Sequence, residues 1–328
     1  MSVKSEILTV LSSADGEFIS GEALGSKLYC SRNAVWKAIN ALKADGYEIE
    51  AVTNKGYRLL GGDVLCTDSV MRYLNTPLDV QVVDCVPSTN DVLKAAAENG
   101  AKEGTVIIAK EQSHGKGRLG RSFFSPNSGI YMSILLRPQL SAADSLMITT
   151  CAAVAVCEAI EKVCGKSCGI KWVNDIFLNG LKICGILTEA SVDFETGGLQ
   201  YAVLGIGINV AHPKDDFPDE LHGIAGALFD ELPKVGDIRS RLCAELLNSF
   251  FSYYKNLPQR DFMEQYKRRS IIIGKKINVI QNGSKTPATA LGIDDDARLF
   301  VRYDDGKTAL ISTGEVSVRL QNNNVKDS

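Results

Sequence analysis

A short glycine-rich and basic run lies between residues 111 and 121, Glu-Gln-Ser-His-Gly-Lys-Gly-Arg-Leu-Gly-Arg. Gly115, Gly117 and Gly120 match the G-x-G-x-x-G pattern that binds the pyrophosphate of dinucleotides. That mechanism requires a helix to begin at the last glycine, so that its N-terminus meets the phosphates. Residues 122–129 are instead Ser-Phe-Phe-Ser-Pro-Asn-Ser-Gly and lead into a strand-like run. The dinucleotide interpretation therefore fails on its context.

The cations of this run indicate a different chemistry. Lys116, Arg118 and Arg121 stand on a flexible glycine backbone, which suits a loop that closes over an anionic ligand. Phosphates in particular take several charge-assisted hydrogen bonds from such groups. We therefore predict a nucleotide-binding loop. The alternative is a solvated basic loop without a ligand.

A second cluster of residues that could bind a ligand is Lys171-Trp-Val-Asn-Asp175, with Lys182 further along the chain. Asn179-Gly180 lies between them and favours a two-residue hairpin turn, so the segments on either side are predicted to pair. Strand alternation places Lys182 on the face opposite Ile183. Two lysines on paired strands near a phosphate loop would serve an anion. A lysine near a hairpin turn is otherwise a solvated edge residue.

Two smaller motifs complete the set. Ser88-Thr89-Asn90 precedes a predicted helix, and Gly205-Ile-Gly-Ile-Asn209 follows a predicted strand. The first could simply cap the helix, and the second could mark a strand packed closely against another backbone. The three histidines are dispersed and no G-x-S-x-G elbow occurs, so covalent acyl-enzyme catalysis has no support. Nine scattered cysteines without a Cys-x-x-Cys pair do not support a structural metal site.

The composition restricts the class of protein. The chain has 328 residues, 45% hydrophobic and 23% charged, with a formal net charge of −3. These values are typical of a globular protein of two or three domains and exclude a generally polybasic one. The longest apolar stretch, residues 151–160, is too short to span a membrane and predicts a buried helix. No secretory signal opens the chain, so we expect a cytoplasmic protein.

Residues 1–63 predict a winged helix-turn-helix domain. Three segments with helical apolar spacing are followed by two strand-like runs, joined by a turn at Asn54-Lys55-Gly56. Ser31 stands at the N-cap position directly before the third helix. Gly61-Gly62 is a natural start for a linker to the rest of the chain.

The rest of the chain divides into two further predicted domains. In residues 64–268 the predicted strands are residues 80–86, 105–111, 129–136, 169–178 and 182–190, and the predicted helices are residues 91–99 and 145–163. An antiparallel pair inside a helix-bearing domain favours an α+β fold with a mixed sheet. Residues 269–328 contain short strands broken by Asn-Gly and Asp-rich turns and predict a small all-β barrel.

Five motifs, taken in order, resemble the signature of biotin protein ligases: Pro87-Ser-Thr-Asn90, Gln112-x-x-Gly-Lys-Gly-Arg-x-Gly-Arg121, Lys171-Trp-Val-Asn-Asp175, Lys182-x-x-Gly-Ile186 and Gly205-x-Gly-Ile-Asn209. With a winged helix in front of them, the chain is similar to the bifunctional members, which combine the ligase with the repressor of the biotin operon. The resemblance implies a winged helix-turn-helix, a mixed-sheet α/β ligase domain similar to class II aminoacyl-tRNA synthetases and a C-terminal SH3-like β-barrel.

The resemblance also implies a two-step reaction. Biotin and MgATP give biotinyl-5′-AMP and pyrophosphate, and a lysine of the biotin carrier domain of a carboxylase then takes the biotinyl group. Attack of a carboxylate on a phosphate suits a site that supplies positioning and positive charge. One alternative is a non-catalytic transcription factor that senses a metabolite, which the glycine loop and its cations disfavour. Another is a lipoate or octanoate ligase, whose acyl pocket does not need the polar Ser-Thr-Asn and Gln112 set.

Site residues follow from the same resemblance. The biotin-binding residues would be Ser88, Thr89, Asn90, Gln112, Lys116, Gly117, Arg118 and Lys182. The ATP-binding residues would be Arg118, Arg121, Phe123, Lys171, Asn174, Asn209 and Arg319. Arg118 and Lys182 would be catalytic, and Mg²⁺ would come with ATP rather than occupy a metal site of the protein. Lys116 stands where many members have an arginine, so the planar guanidinium and its paired hydrogen bonds are lost. Phe123 stands where a tryptophan can occur and can still stack on adenine.

The winged helix implies a DNA-binding surface. Its predicted contacts are Ser31, Arg32, Asn33, Trp36 and Lys37 on the recognition helix and Lys55 and Arg58 on the wing. Residues 31–58 hold five cations against three anions, a mild excess that predicts weak binding by a monomer. We expect a ligand-promoted homodimer that joins two half-sites on operator DNA.

Overall fold

The structure is a computed structural model that describes residues 3–14, 16–44, 46–141, 145–192, 195, 197–233, 237–281 and 283–318. Within these ranges the strands form a two-stranded hairpin, a seven-stranded mixed sheet and a five-stranded antiparallel sheet, in that order along the chain. The predicted succession of winged helix, mixed-sheet domain and all-β domain is therefore confirmed. The exact boundaries, 1–63, 64–268 and 269–328, stay predictions.

The N-terminal part folds as predicted into three helices and a hairpin. The helices are α1 (Val3–Ser13), α2 (Gly21–Lys27) and α3 (Arg32–Ala44), and the strands are β1 (Glu48–Val52) and β2 (Gly56–Gly61). Ile7, Leu24 and Ile39, one from each helix, are buried in one core because apolar residues recur on one face of each helix. The predicted N-cap is confirmed, since Ser31 Oγ accepts a 3.2 Å hydrogen bond from the backbone N–H of Ala34.

The central sheet positions the candidate site. Its strands are β3 (Asp79–Val86), β4 (Thr105–Gln112), β5 (Ile130–Leu136), β6 (Gly169–Lys171), β7 (Asp175–Leu178), β8 (Leu181–Val192) and β9 (Leu199–Ile208), in the spatial order β3-β4-β5-β9-β8-β7-β6. β3 and β4 are parallel and the other neighbours are antiparallel, so the predicted mixed sheet is confirmed. Asn179 and Gly180 connect β7 to β8 with positive φ angles of 51° and 82°, as the predicted turn requires.

Helices cover both faces of this sheet. The helices of this region are α4 (Thr67–Tyr73), α5 (Thr89–Glu98), α6 (Leu146–Cys164), α7 (Ile238–Tyr254) and α8 (Met263–Arg268). α5 packs on the face that carries Ile107 and Leu135, whereas α6 packs on the opposite face and against α7. The predicted burial of residues 151–160 is confirmed within α6. In the part of the chain that the structure describes, no helix has the length and apolar character needed to cross a membrane.

The predicted strand that contains Lys171 is two strands instead of one. β6 ends at Lys171 and β7 begins at Asp175. The turn between them is held by the C-terminal domain, because Trp172 Nε1 donates a 2.8 Å hydrogen bond to the carbonyl of Ala297. The strand of Lys171 therefore pairs with β7, and its predicted direct pairing with the strand of Lys182 is wrong.

The C-terminal domain is an antiparallel sheet of five strands. They are β10 (Lys276–Gln281), β11 (Ser284–Ile293), β12 (Leu299–Tyr303), β13 (Thr308–Ile311) and β14 (Glu315–Val318), in the order β13-β12-β11-β10-β14. Ile277 and Val301 are buried and join the core of the central domain. The predicted all-β character is confirmed, and the SH3-like closure of the barrel stays a prediction. β14 is an edge strand of this sheet and reaches the candidate site.

Two buried ion pairs lie where the winged helix meets the central domain. Asp63 Oδ2 lies 2.5 Å from Arg239 Nε, and the backbone N–H of Arg239 donates to the same carboxylate at 2.9 Å. Arg72 lies 3.3 Å from Asp237, the residue directly before α7. Because a buried charge without its partner is costly, the first pair fixes the linker on the N-terminus of α7, and the second fixes α4 there.

Candidate functional site

A cavity opens where α5, the segment 112–123, strands β7 to β9 and strand β14 meet. The predicted residues that line it are Ser88, Thr89, Asn90, Gln112, Lys116, Gly117, Arg118, Arg121, Phe123, Lys171, Asn174 and Lys182. Separate segments of the chain thus converge on one space. This convergence disfavours a solvated loop and a solvated edge lysine. The role of each residue stays a prediction.

Neutral hydrogen-bonding groups form one end of the cavity. The backbone N–H and Oγ1 of Thr89 both donate to Gln112 Oε1, at 2.9 and 3.1 Å. Gln112 Nε2 in turn donates to Ser125 Oγ at 3.0 Å. Ser88 is at the N-cap position of α5, but its side chain makes no capping hydrogen bond. The helix-cap alternative for Ser88 is therefore right about its position and wrong about its side chain, whose hydroxyl does not cap the helix.

Asn90 is fixed on both sides of its amide. Its Nδ2 donates to Glu189 Oε2 at 2.7 Å, and its Oδ1 accepts from Ser133 Oγ at 2.6 Å. A Cβ at Gly205 would lie 2.3 Å from Asn90 Oδ1, so a side chain there would displace the amide. Gly205 lies inside β9 rather than after it. Its close neighbour is the side chain of Asn90, whereas the sequence left open a close approach to another backbone.

The glycine-rich run forms a compact loop over the cavity. The backbone N–H of Gly117 donates to the carbonyl of Arg121 at 2.7 Å, and that of Phe123 donates to the carbonyl of Gly115 at 2.8 Å. Leu119, at the tip of this loop, has a positive φ of 56° and is exposed. No α-helix begins between the last glycine and β5. This agrees with the rejection of the dinucleotide interpretation.

The arginines of the loop contact the rest of the site and the C-terminal domain. Arg118 donates to Asn174 Oδ1 and to the carbonyl of Gly314, both at 3.1 Å. Arg121 forms a 2.5 Å ion pair with Glu315 at the start of β14. The C-terminal domain therefore holds the loop closed from one side.

A lysine and a carboxylate form the opposite wall. Lys182 Nζ lies 2.6 Å from Asp175 Oδ1. Lys171 lies on β6 opposite Asp175 in register, with its Nζ 5.6 Å from the centre of the Phe177 ring. Burial lowers the pKa of the Lys171 ammonium, and the carboxylate of Asp175 only partly opposes this effect. The wall thus presents one well-paired cation and one desolvated cation to the cavity.

Phe123 packs over a part of the sheet that has no side chains. Gly185 and Gly207 are paired across β8 and β9, and Cβ atoms there would come within 3.0 and 2.5 Å of the Phe123 ring. Tyr131 meets the ring edge-on, with the centroids 6.3 Å apart. Two facing glycines are needed because an aromatic ring occupies their side-chain space.

Two predicted nucleotide residues are not brought to the cavity. Asn209 is buried and does not line it, and its Nδ2 donates to the carbonyl of Gly226 at 2.9 Å. Arg319 lies outside the described residues. No group of three or more His, Cys, Asp or Glu side chains suited to a metal ion occurs in the part of the chain the structure covers.

The predicted DNA-binding residues lie together on the winged helix. The five predicted on α3 and directly before it, Ser31, Arg32, Asn33, Trp36 and Lys37, are all exposed. On the wing, Lys55 and Arg58 approach the ring of Phe18, with distances of 5.7 and 4.5 Å to its centre. Arg58 is also paired with Glu50 at 2.5 Å. Phe18 was missed by the sequence analysis, which assigned it no role.

Several other residues of the site were missed. Asp91 directly follows one recognised motif and Asp175 ends another, but neither was given a role. Ser133, Glu189 and Glu315 lie outside every motif. Ser133 alone gave a signal in the sequence, because it is a polar residue inside the otherwise apolar strand Ile-Tyr-Met-Ser-Ile-Leu-Leu. Pairing across distant segments, which places the two glutamates, has no local signal.

Comparison with known families agrees with this architecture. Residues 82–209 match the Biotin/lipoate A/B protein ligase family, residues 3–58 match an HTH domain and residues 272–319 match the Biotin protein ligase C terminal domain. The fold and the site thus define a ligase of the biotin and lipoate class that carries a helix-turn-helix domain.

Individual relatives narrow this class. The chain is 36% identical over 314 residues to the "Bifunctional ligase/repressor BirA" of Bacillus spizizenii, covering 93% of this chain and 95% of that protein. It is 28% identical to the protein of the same name from Escherichia coli, covering 93% and 94%. The "Biotin protein ligase from Aquifex aeolicus in complex with biotin and ATP" superposes with a TM-score of 0.62 at 25% identity, covering 74% of this chain and 98% of that one. The chain belongs to the family of bifunctional biotin ligases and repressors.

Proposed function

We propose that this chain is an ATP-dependent biotin protein ligase that also represses genes of biotin synthesis or uptake. The observation that carries the ligase function is the division of one cavity into two ends. Neutral donors and acceptors around Thr89 and Gln112 suit a ureido ring, and the cations Arg118 and Lys182 suit a carboxylate beside a phosphate. Biotin carries the first group and the carboxylate, and ATP supplies the phosphate.

In the first step, a carboxylate oxygen of biotin attacks the α-phosphorus of ATP. The bond from that phosphorus to the bridging oxygen of the β-phosphate breaks, and pyrophosphate leaves with the electron pair. Arg118 and Lys182 act as the catalytic residues, because they neutralise the charge that develops between the two anions. Ser88, Thr89, Asn90 and Gln112 orient biotin, and Lys116 and Gly117 cover it.

The nucleotide is bound by the other cations and by the aromatic ring. Arg121 exchanges Glu315 for the phosphates of ATP, and these are faced by Lys171 from β6 and by Asn174 from the turn after it. Phe123 stacks on adenine with a smaller face than an indole would offer. Asn209 and Arg319 complete the proposed set, although Asn209 would act from behind the wall of the cavity.

Magnesium is proposed to arrive with the nucleotide. Mg²⁺ prefers oxygen ligands and keeps several waters, so one or two protein oxygens beside the phosphates are enough. Asn174 and Asp175 supply an amide and a carboxylate oxygen at the cavity, which fits this demand. The ion would add positive charge to the phosphates, while the residues of the chain position both substrates.

In the second step, the amine of an acceptor lysine attacks the carbonyl of biotinyl-5′-AMP and AMP leaves. We propose that the acceptor is the biotin carrier domain of a carboxylase. The winged helix, residues 1–63, would bind operator DNA as part of a ligand-promoted homodimer. Residues 64–268 form the ligase domain and residues 269–328 the C-terminal domain. A cytoplasmic location follows from the need for both ATP and DNA.

Pyrophosphate release tests the ligase function against its alternatives. The protein is incubated with labelled ATP and either biotin or lipoate. Release with biotin alone supports the proposal, and release with lipoate alone would indicate a lipoate or octanoate ligase. Binding of biotin without any release would indicate a transcription factor that senses the metabolite.

A further inference from the structure

We propose that Asp91 is a positioning residue that holds the glycine loop, residues 115–122, over the cavity through an ion pair with Lys116. The inference rests on the proposed function, in which this loop covers biotin and the nucleotide. Lys116 Nζ lies 2.6 Å from Asp91 Oδ1. Asp91 is in the first turn of α5, directly after the segment 88–90 that lines the polar end of the cavity. The pair therefore joins the loop to the element that carries the biotin-binding side chains.

Asp91 is itself anchored to the sheet. Lys94 Nζ lies 3.1 Å from the same oxygen of Asp91 and 2.8 Å from Glu189 Oε1 on β8. The second oxygen of Glu189 accepts the 2.7 Å hydrogen bond from Asn90 Nδ2. The carboxylate that receives Lys116 is thus held by a chain of polar contacts that ends on a central strand.

Fixing Lys116 fixes the whole loop. Lys116 and Ser122 form a backbone bridge, and the N–H of Gly117 donates to the carbonyl of Arg121 at 2.7 Å. The loop therefore closes on itself directly beyond Lys116, so residues 118–120 move with its base. An ion pair at position 116 acts on Arg118 without touching it.

The pair is suited to reversible closure. The side chains of Lys116 and Asp91 are 43% and 41% exposed, so water and salt screen their attraction. Burial opposes ionisation of Asp91, but hydrogen bonds from Lys116 and Lys94 outweigh it and hold the pKa of the carboxyl below its usual range. The carboxylate is therefore charged at neutral pH. A loop that must open to release pyrophosphate needs a contact of this modest strength.

Limited trypsin digestion of the ligand-free, full-length protein tests this role, because Lys116, Arg118 and Arg121 become cleavable when the loop lifts. Asp91→Asn should accelerate cleavage in the loop by about two- to fivefold, the effect of losing one exposed ion pair. Asp91→Glu keeps the charge and should restore the wild-type rate. Asp84→Asn is the matched control, since it removes a 2.7 Å ion pair with Lys110 on β3 and β4, outside the loop.

Salt separates the ion pair from a merely structural role of Asp91. Raising the ionic strength from about 0.05 to 0.5 M screens exposed charges, so the ratio of loop cleavage in Asp91→Asn to that in the wild type should fall toward one. Screening of the Arg121–Glu315 pair affects both proteins alike and cancels in this ratio. Rates are normalised to a peptide of the loop sequence. Equal cleavage of wild type and Asp91→Asn, or no rescue by Asp91→Glu, would overturn the proposal. Because no substrate is present, this result is independent of the pyrophosphate assay that tests the ligase.

Discussion

Lys182 and Asp175 form a diagonal ion pair across the β7–β8 hairpin, with 2.6 Å between Nζ and Oδ1. In the strand register, Lys182 is opposite Phe177 and Asp175 is opposite Gly185, so the two side chains reach past their direct neighbours. The lysine side chain passes beside Gly185, where a Cβ would lie in van der Waals contact with it, 3.4 Å from Lys182 Cε and Nζ. The carboxylate therefore orients the ammonium before any substrate arrives.

Lys182→Ala should leave biotin binding nearly intact and reduce pyrophosphate release by about 10²- to 10³-fold, because one preorganised charge at a developing anion is lost. Calorimetric titration with biotin and a pyrophosphate assay measure the two effects separately. Lys162→Ala, which removes a remote ion pair with Glu245, should behave as the wild type. Near wild-type release from Lys182→Ala would make the residue a structural edge lysine.

Arg118→Gly should weaken retention of biotinyl-5′-AMP more than it slows its synthesis. Arg118 joins the loop to Asn174 and to the carbonyl of Gly314, and a loop without these contacts closes poorly over its ligand. Escaped adenylate would biotinylate a bystander protein, which a streptavidin blot detects. Arg298→Gly, at a site paired with Asp294 in the C-terminal domain, is the control. An Arg118→Gly variant that makes adenylate without labelling the bystander would contradict the lid function.

Lys171→Met should raise the stability of the fold at neutral pH and weaken the use of ATP by the enzyme. Burial lowers the pKa of this ammonium in the folded chain, so its charge destabilises the fold below that pKa. The penalty is relieved as the pH rises toward 10.5, the ordinary value in the unfolded chain. The variant should therefore gain about 2 °C in Tm at pH 7 and lose this advantage at high pH.

The functional part of the Lys171 prediction is a rise of about tenfold in the KM for ATP, as for the loss of one hydrogen bond to a charged group. Lys110→Met, on the exposed pair with Asp84, should change neither Tm nor KM. A Lys171→Met variant with lower Tm and unchanged KM would show that the lysine serves packing alone.

The sequence was most informative where a short motif determines the helix or turn in which it lies. Ser31 caps α3 as predicted, and Asn179-Gly180 forms the predicted turn between β7 and β8. Both succeed because these residues act on the backbone next to them. Most of the motif residues also meet in one cavity, as their resemblance to the family signature implied. Local chemistry was therefore sufficient to predict this cap and this turn, and the motifs predicted most of the cavity wall.

The sequence was least informative where a contact with a distant segment of the chain determines the local structure. The break between β6 and β7 depends on Ala297, which binds Trp172 from another domain. Likewise, Glu315 meets Arg121, and Glu189 meets Asn90, across large separations in the chain. Neither glutamate has a periodic or motif signal, because such pairs are specified only by the packed fold. The same reason explains why Asn209 was expected at the cavity although its amide binds Gly226 behind it.

DNA binding should be switched on by biotinyl-5′-AMP. The adenylate orders the loop, and a ligand promotes dimerisation through its higher affinity for the dimer-competent state. The buried pair Asp63–Arg239 holds the end of the winged helix on α7, so a dimer of the central domains should present two recognition helices in a fixed relation. Joining two weak half-sites then gives an operator-scale affinity.

Sedimentation and footprinting upstream of biotin synthesis or uptake genes test this coupling, with and without biotin plus ATP. Lys182→Ala is the sharpest control, because it should respond at once to added biotinyl-5′-AMP but only slowly to biotin plus ATP. The wild type should dimerise and protect the operator under both conditions. Equal protection by the ligand-free and adenylate-bound wild type would refute the coupling while leaving the repressor function intact. No protection in either state would show that the winged helix of this ligase has another use.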